Sequence, residues 1–445
     1  MHLRGIRTAG DTAGAGTRRV GGLRSPWVVW GIAASFYVVA LFHRMSLGVA
    51  SLDAQRRFDL GPDTIAALSA LQLGLYLLMT IPAGLAADRV GPRMALAFGM
   101  ALMAVGEVAF GLATSAPLAL GGRALVGVGD AFIFLSVLRI AQNWFPARRY
   151  PLLAALTGMA GAIGQLGTTV PLGLALDGAG WTATFVVSGV VTGLLALACL
   201  RLVADRPADA GTAAAAGRDG DATAPATGAP AQDPIMATLR RAWATSATRA
   251  AFWTHFALMG PFVTITALWG YPWLVEAQSV APGTARAWLL VCVAAFGLGA
   301  PVVGLAVARA PRTRGRVAFG AGAAATAGWA LALLWPGGHP PAAVILATLV
   351  ATGVGGAAAM LAFDVAREGN PAHVAGSAGG LANTGGFSAA VATQLLVGWV
   401  MGFGPSAGLQ TALLPMLGLT VVALAQMARH GRRRRARARV LQPAA

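Results

Sequence analysis

Twelve apolar runs, each about long enough to cross a membrane as a helix, follow one another along the chain. They lie near 27–50, 63–83, 94–114, 118–141, 153–176, 181–203, 250–273, 284–307, 317–335, 342–364, 375–401 and 409–428. A bilayer core of about 30 Å is crossed by about 20 apolar helical residues, and within it every backbone amide and carbonyl must find its partner inside the chain. Repeated runs of this kind predict an all-α, polytopic membrane protein with twelve transmembrane helices. The composition agrees, because 56% apolar residues, 11% charged residues and a mean hydropathy of +0.67 would give a soluble protein an insoluble surface. The first run is too long for a cleaved leader and lacks the small-residue cleavage pattern, so it is read as a span. Cys199 and Cys292 lie in apolar runs of different halves and offer neither a disulfide framework nor metal-ligand spacing. No cofactor and no metal are expected. With no nucleophile elbow, phosphate-binding loop or soluble catalytic domain, an enzyme is not expected either.

Every basic residue is arginine, and the arginines fall on alternate connections. With the N-terminus inside, the cytoplasmic segments collect Arg4 to Arg24, Arg89 and Arg93, Arg148 and Arg149, Arg201 to Arg249, Arg309 to Arg316, Arg367, and Arg429 to Arg439. The external segments hold only Arg56, Arg57 and Arg286. This is the positive-inside bias; it places both termini in the cytoplasm and the chain in the cell inner (plasma) membrane. It also explains a net charge of +17 as a topology signal. The run Arg432 to Arg435 fits juxtamembrane arginines beside anionic lipid better than a nucleic-acid patch. The stretch from about Asp205 to Ser246 is rich in Ala, Gly, Thr, Asp and Pro and too poor in large apolar residues to form a core. The organisation expected is an N-terminal tail 1–25, a six-helix bundle 26–204, a cytoplasmic linker 205–248, a second six-helix bundle 249–430 and a basic tail 431–445.

Between the second and third runs stands Gly84-Leu-Ala-Ala-Asp88-Arg89-Val-Gly91-Pro-Arg93. It resembles the cytoplasmic loop motif of the major facilitator superfamily: Gly, three spaces, Asp-Arg, one space, Gly, then a basic residue. A fainter echo, Gly304-Leu-Ala-Val-Ala-Arg309-Ala-Pro-Arg312, recurs at the matching place in the second half without the acid. The resemblance implies two pseudo-symmetric six-helix bundles with a substrate site between them near the midplane. It also implies that Gly84, Asp88, Arg89, Gly91 and Arg93 latch the outward-facing state, Asp88 by pairing with an arginine or capping a helix. Arg309, Asp364, Arg367 and Glu368 are the expected counterpart in the second bundle.

Charges inside the spans are costly unless they face a polar cavity or a partner. His43 and Arg44 fall in the outer third of the first span, Glu107 in the outer half of the third, and Arg123 and Asp130 in the fourth. Seven residues at 3.6 per turn return to one face about 10 Å further along, so Arg123 and Asp130 share a polar stripe, with Arg44 at a depth near that of Arg123. Arg139 and His255 are placed to snorkel to the cytoplasmic interface.

The run Arg123-Ala-Leu-Val-Gly127-Val-Gly129-Asp130-Ala131-Phe132 is similar to the fourth-helix pattern of the proton-coupled organic anion symporters, where Arg is followed seven residues later by Glu. His43-Arg44-Met-Ser-Leu47-Gly48-Val-Ala50 resembles their first-helix pattern, with His43 in place of an Asp and Asp130 in place of the Glu. Trp144-Phe145-Pro146-Ala-Arg148-Arg149 and Gly180-Trp181…Phe185 fit the same group. The resemblance implies that Arg44 and Arg123 bind the substrate anion. Asp130 then couples protons, with His43 and Glu107 as further candidates, and protonation of Asp130 frees Arg123 from it.

Tyr37, Gln72, Tyr76, Gln165, Asn383 and Gln394 complete the candidate substrate site. Gly158, Gly161, Gly164 and Gly167 read as a close-packing surface. Trp269-Gly-Tyr271-Pro272-Trp273 reads as an interfacial aromatic belt, with a hinged gate as the other possibility. The function expected is proton-coupled uptake of a small organic anion, in practice a carboxylate, by a functional monomer with no nucleic-acid partner. The alternatives are a proton-driven exporter of drugs or metabolites and a non-transporting receptor.

Overall fold

The computed structural model describes residues 25–146, 149–206, 235–402 and 408–440, and within them the regular structure is helical throughout. The first half comprises α1 (Pro26–Phe58), α2 (Pro62–Val90), α3 (Pro92–Leu112), α4 (Ala116–Trp144), α5 (Tyr150–Gly167) and α6 (Val170–Leu202). A short helix α7 (Ile235–Ala244) leads into α8 (Ser246–Thr264), α9 (Pro282–Arg309), α10 (Arg314–Leu333), α11 (Ala342–Ala359), α12 (Leu361–Glu368), α13 (Ala372–Met401) and α14 (Leu414–Val440). Proline in the first turn of many of these helices sets φ where no backbone donor is needed.

Eleven stretches are long and apolar enough to cross a membrane, and one of them, Leu156–Leu202, has 47 residues. That is about 70 Å at 1.5 Å per residue, enough for two crossings. Gly180, at φ 76° and ψ 174°, folds it back within α6, which gives twelve crossings in two six-helix bundles. Helix α8 continues through π-helical turns Ile265–Trp269 and Trp273–Ala277, the only π-helical stretches among the described residues.

Close packing within the first bundle rests on small residues. Gly164 lies directly against the Val38 carbonyl of α1, Gly161 against the Tyr37 ring and Gly167 against the Phe42 ring, whereas Gly158 has open space beside it. The glycine stripe is thus a packing surface along most of its length. Gly91, at φ 88°, makes the tight α2–α3 turn that an L side chain would strain.

The two bundles meet along α1, α2, α8 and α13. Gly48 touches the Thr266 backbone, Gly398 abuts Ala66 and Pro62, and the rings of Tyr76 and Phe387 lie 5.0 Å apart. Asp177 of α6 and Arg286 of α9 form an ion pair across the seam. These contacts run from mid-helix toward the face that carries the α1–α2 and α3–α4 turns, called here the α1–α2 face.

Three expectations change. Helix α1 runs to Phe58 rather than 50, which moves His43 and Arg44 from the outer third to the middle of the helix. Residues 235–244 of the expected linker form an amphipathic helix whose Ala242 packs with Ala251, Ala362 and Ala378. Residues 207–234 lie outside the described set, as do the N-terminal tail and Arg148. The basic tail continues α14 as far as Val440, in keeping with the good helix propensity of Ala and Arg.

The packing makes a contrast between two neighbouring glycines. Gly164→Leu forces side chain into the α1 backbone and is expected to cost about 1–3 kcal/mol, whereas Gly158→Leu is expected to change stability little. Thermal unfolding of the purified variants reads the difference, and equal effects would contradict the α1–α5 contact.

Candidate functional site

Two buried ionic clusters occupy the middle of the first bundle. In the first, Arg44 grips Asp130 with both arms of its fork, Nε to Oδ2 at 2.5 Å and a terminal amine to Oδ1 at 2.8 Å. Arg44 is 4% exposed and Asp130 0%. The guanidinium lies 4.1 Å from the Tyr76 ring centre and 5.6 Å from that of Phe387. Because Phe387 belongs to α13, this ion pair sits at the seam between the bundles and faces no lipid. Tyr37 also lies against Arg44, and Asn383 of α13 against Tyr76.

In the second cluster, Arg123 reaches Glu107 Oε1 at 3.5 Å and donates to the Ser46 hydroxyl at 3.2 Å and the His43 carbonyl at 3.3 Å. Its guanidinium sits 5.0 Å from the Phe110 ring. His43 places Nδ1 3.0 Å from Glu107 Oε1 and Nε2 2.7 Å from the Thr192 hydroxyl. Thr192 in turn donates to the Ser188 carbonyl at 2.8 Å. His43, Glu107, Arg123 and Thr192 are all fully buried.

The expected pairing of Arg123 with Asp130 is therefore wrong. Seven residues apart on one helix share a face but stand about 10 Å apart along the axis, and each finds a closer partner on a neighbouring helix. Since His43 and Arg44 are adjacent on α1, one turn of that helix serves both clusters.

Of the remaining predicted site residues, Tyr37 and Asn383 are half-buried, and the three glutamines are buried with unmet hydrogen-bonding capacity. Gln72 Nε2, Gln165 Oε1 and both amide atoms of Gln394 are buried without a partner among the described residues. Unpaired groups of this kind cost about 1–3 kcal/mol each, a cost offset when a ligand or water supplies the bond. His255 does not snorkel: it is buried between α8 and α13, where Nδ1 accepts from the Gly386 amide at 3.1 Å. The aromatic belt is also corrected. Trp269, Tyr271 and Trp273 are buried, Trp269 donating to the Gln394 carbonyl at 3.3 Å and Trp273 to Gln410 at 2.9 Å.

At the face opposite the α1–α2 turns, the Asp88 side chain lies outside the described residues and Arg89 is exposed. Gly84 packs toward Leu135 of α4. The Arg93 amide donates to Asp205 at 2.8 Å, and its guanidinium donates to the Leu200 carbonyl at 2.5 Å, which ties the motif to the end of α6. In the second bundle Arg314 holds Glu368 at 2.5 Å and approaches Asp364 at 4.0 Å. Arg367 stands 3.8 Å from Asp364, while Arg309 is exposed. Asp205, Arg314 and Phe387 were not singled out from the sequence. The first two carry a legible signal, an ionisable residue at a span end; Phe387 carries none.

Twelve crossings in two bundles, with paired charges at the seam between them, define a polytopic α-helical membrane protein. The chain belongs to the Major Facilitator Superfamily, whose sequence profile matches residues 32–394. A protein of Agrobacterium vitis named as a tartrate transporter is 28% identical over 184 residues, 38% of this chain and 41% of that protein. The drug efflux pump JefA of Mycobacterium tuberculosis (strain CDC 1551 / Oshkosh) is 30% identical over 156 residues, 34% of this chain and 30% of the pump. Each match thus spans less than half of the relative's length. The fold is similar to that of a bacterial homologue of the human lysosomal transporter Spinster, solved inward-facing and unoccupied. The TM-score is 0.70 at 16% identity, covering 93% of this chain and 98% of that one.

Removing one partner of a buried ion pair strands the other, at about 3–5 kcal/mol. Arg44→Ala and Asp130→Ala are each expected to lower stability by that order, and the double variant by clearly less than the sum. Unfolding midpoints of the three proteins test the pairing, and additive losses would contradict it.

Proposed function

We propose that this transporter carries a small organic anion, a carboxylate, into the cell together with protons by alternating access. The observation that carries the reading is the occupancy of Arg44: both arms of its fork are filled by Asp130 at the seam between the bundles. A substrate carboxylate competes for the same donors, so the anion displaces Asp130, which then accepts a proton rather than remain a buried, unpaired charge. The empty carrier holds a neutral pair there, and the carrier loaded with anion and proton holds another. A carrier with only one of the two buries an uncompensated charge and is disfavoured from reorienting. Coupling follows from charge balance alone.

The second cluster supplies further proton-coupling candidates. If Thr192 donates to the Ser188 carbonyl, it accepts from His43 Nε2–H, and Nδ1 then faces the Glu107 carboxylate with its lone pair unless a proton lies between them. We assign His43 and Glu107 as further proton-coupling candidates, and to Arg123 the holding of that pair in place of the direct substrate contact expected from the resemblance. Tyr37, Gln72, Tyr76, Gln165, Asn383 and Gln394 supply ring faces and unpaired amides for the rest of the substrate. The arginine bias supports an inner (plasma) membrane location with both termini cytoplasmic, which makes the α1–α2 face external and the contacts Gly48–Thr266 and Asp177–Arg286 an external closure. The π-helical turns of α8 flank that closure and serve as its hinge. Asp205 with Arg93, and Arg314 with Glu368 and Asp364, act as internal latches, and the carrier works as a monomer beside anionic lipid.

Proteoliposomes given an acidic exterior test the reading with labelled tartrate and other small carboxylates. Accumulation above equilibrium is expected for at least one acid. Arg44→Ala should abolish it, and Asp130→Asn should keep anion exchange while losing uphill accumulation. The identity with JefA favours a second reading, a proton-driven exporter. Cells that gain resistance to cationic dyes, with no acid accumulated by the proteoliposomes, would establish that alternative instead.

A further inference from the structure

A cavity of about 440 Å³ opens in the second bundle between α8, α10, α12 and α14, on the face opposite the α1–α2 turns and remote from the buried clusters. Its wall is apolar, formed in part by Phe319, Leu361 and Met427, and its rim carries Arg314, Arg316 and Arg432. Arg314 is committed to Glu368 and Asp364. Arg316 and Arg432 are exposed, and neither forms an ion pair among the described residues.

The two helices that supply this rim also face lipid. Leu331 of α10 and Val421 and Val422 of α14 are each 51% exposed, on helices apolar enough to cross a bilayer. The arginines stand at the ends of these apolar surfaces, Arg316 in the first turns of α10 and Arg432 past the apolar part of α14. That is the level of the lipid headgroups, where basic pockets between membrane helices take anionic lipid. A soluble anion would meet the rim and leave the apolar wall unused, whereas an acidic phospholipid matches both parts.

We propose that this cavity is a binding site for one acidic phospholipid, its phosphate between Arg316 and Arg432 and an acyl chain against Phe319, Leu361 and Met427. The site locates the lipid contact of the transport reading, yet it rests on the membrane fold alone and stands whether the cargo is an acid or a drug. Thermal unfolding of the purified full chain in mild detergent tests it, with phosphatidylglycerol, phosphatidylcholine or glycerol phosphate added. Phosphatidylglycerol is expected to raise the midpoint, and the other two are not. Arg316→Ala/Arg432→Ala should lose at least half of that shift. Val365→Trp, which fills the cavity without altering charge, should lose it as well. The proposal is overturned by the absence of any shift, by an equal shift with phosphatidylcholine or glycerol phosphate, or by a full shift retained in the double arginine variant.

Discussion

The bidentate grip of Arg44 on Asp130 is the interaction on which the rest of the interior depends. An arginine in a bilayer-spanning bundle is tolerated only when its charge is matched and its donors are filled, and here one carboxylate meets both requirements. The pair stands where α1 and α4 of one bundle meet Phe387 of the other. A change in its partners is therefore felt at the surface between the bundles. The second cluster follows the same rule with different means: Glu107 balances Arg123, and His43 links that balance to Thr192. Because consecutive residues of α1 belong to the two clusters, neither can shift without straining the other.

The proposed alternating access requires that the seam be close-packed yet separable. On the α1–α2 face it is held by backbone contact at Gly48 and Gly398 and by one ion pair, Asp177 with Arg286, of which Asp177 is 58% exposed. A half-exposed pair contributes little net stability, and an apolar core that includes residues of both bundles supplies more of the hold. The π-helical turns of α8 at Ile265–Trp269 and Trp273–Ala277 bracket Gly270 to Pro272 beside this seam, and such irregular turns recur at functional sites.

Much of the fold was legible because a bilayer imposes a length and a polarity that no other environment requires. The spans and the glycine surface of α5 could be read from the order of residues, and so could the buried status of Arg44, Arg123, Asp130, Glu107 and His43. Partner choice could not. Helical spacing placed Arg123 and Asp130 on one face but says nothing of which neighbouring helix stands opposite, and the true pairings, Arg44 with Asp130 and Arg123 with Glu107, cross between helices. The same limit hid Phe387, an ordinary aromatic until α13 is laid against α2. Trp269 and Trp273 misled for another reason. Their place near the end of a run suggested an interfacial belt, but π-helical turns carry that segment onward and turn the indoles inward, toward Gln394 and Gln410. His255 was likewise judged by depth along its helix, when its contact with the Gly386 amide depends on the facing helix.

The central claim is that anion and Asp130 exchange places on Arg44, with a proton taken up as they do. Infrared difference spectra of the purified protein, recorded with and without a transported carboxylate, address this directly. The account predicts that anion binding brings up a protonated-carboxyl band, and that Asp130→Asn removes it. A spectrum in which Asp130 stays ionised while the anion is bound would contradict the account.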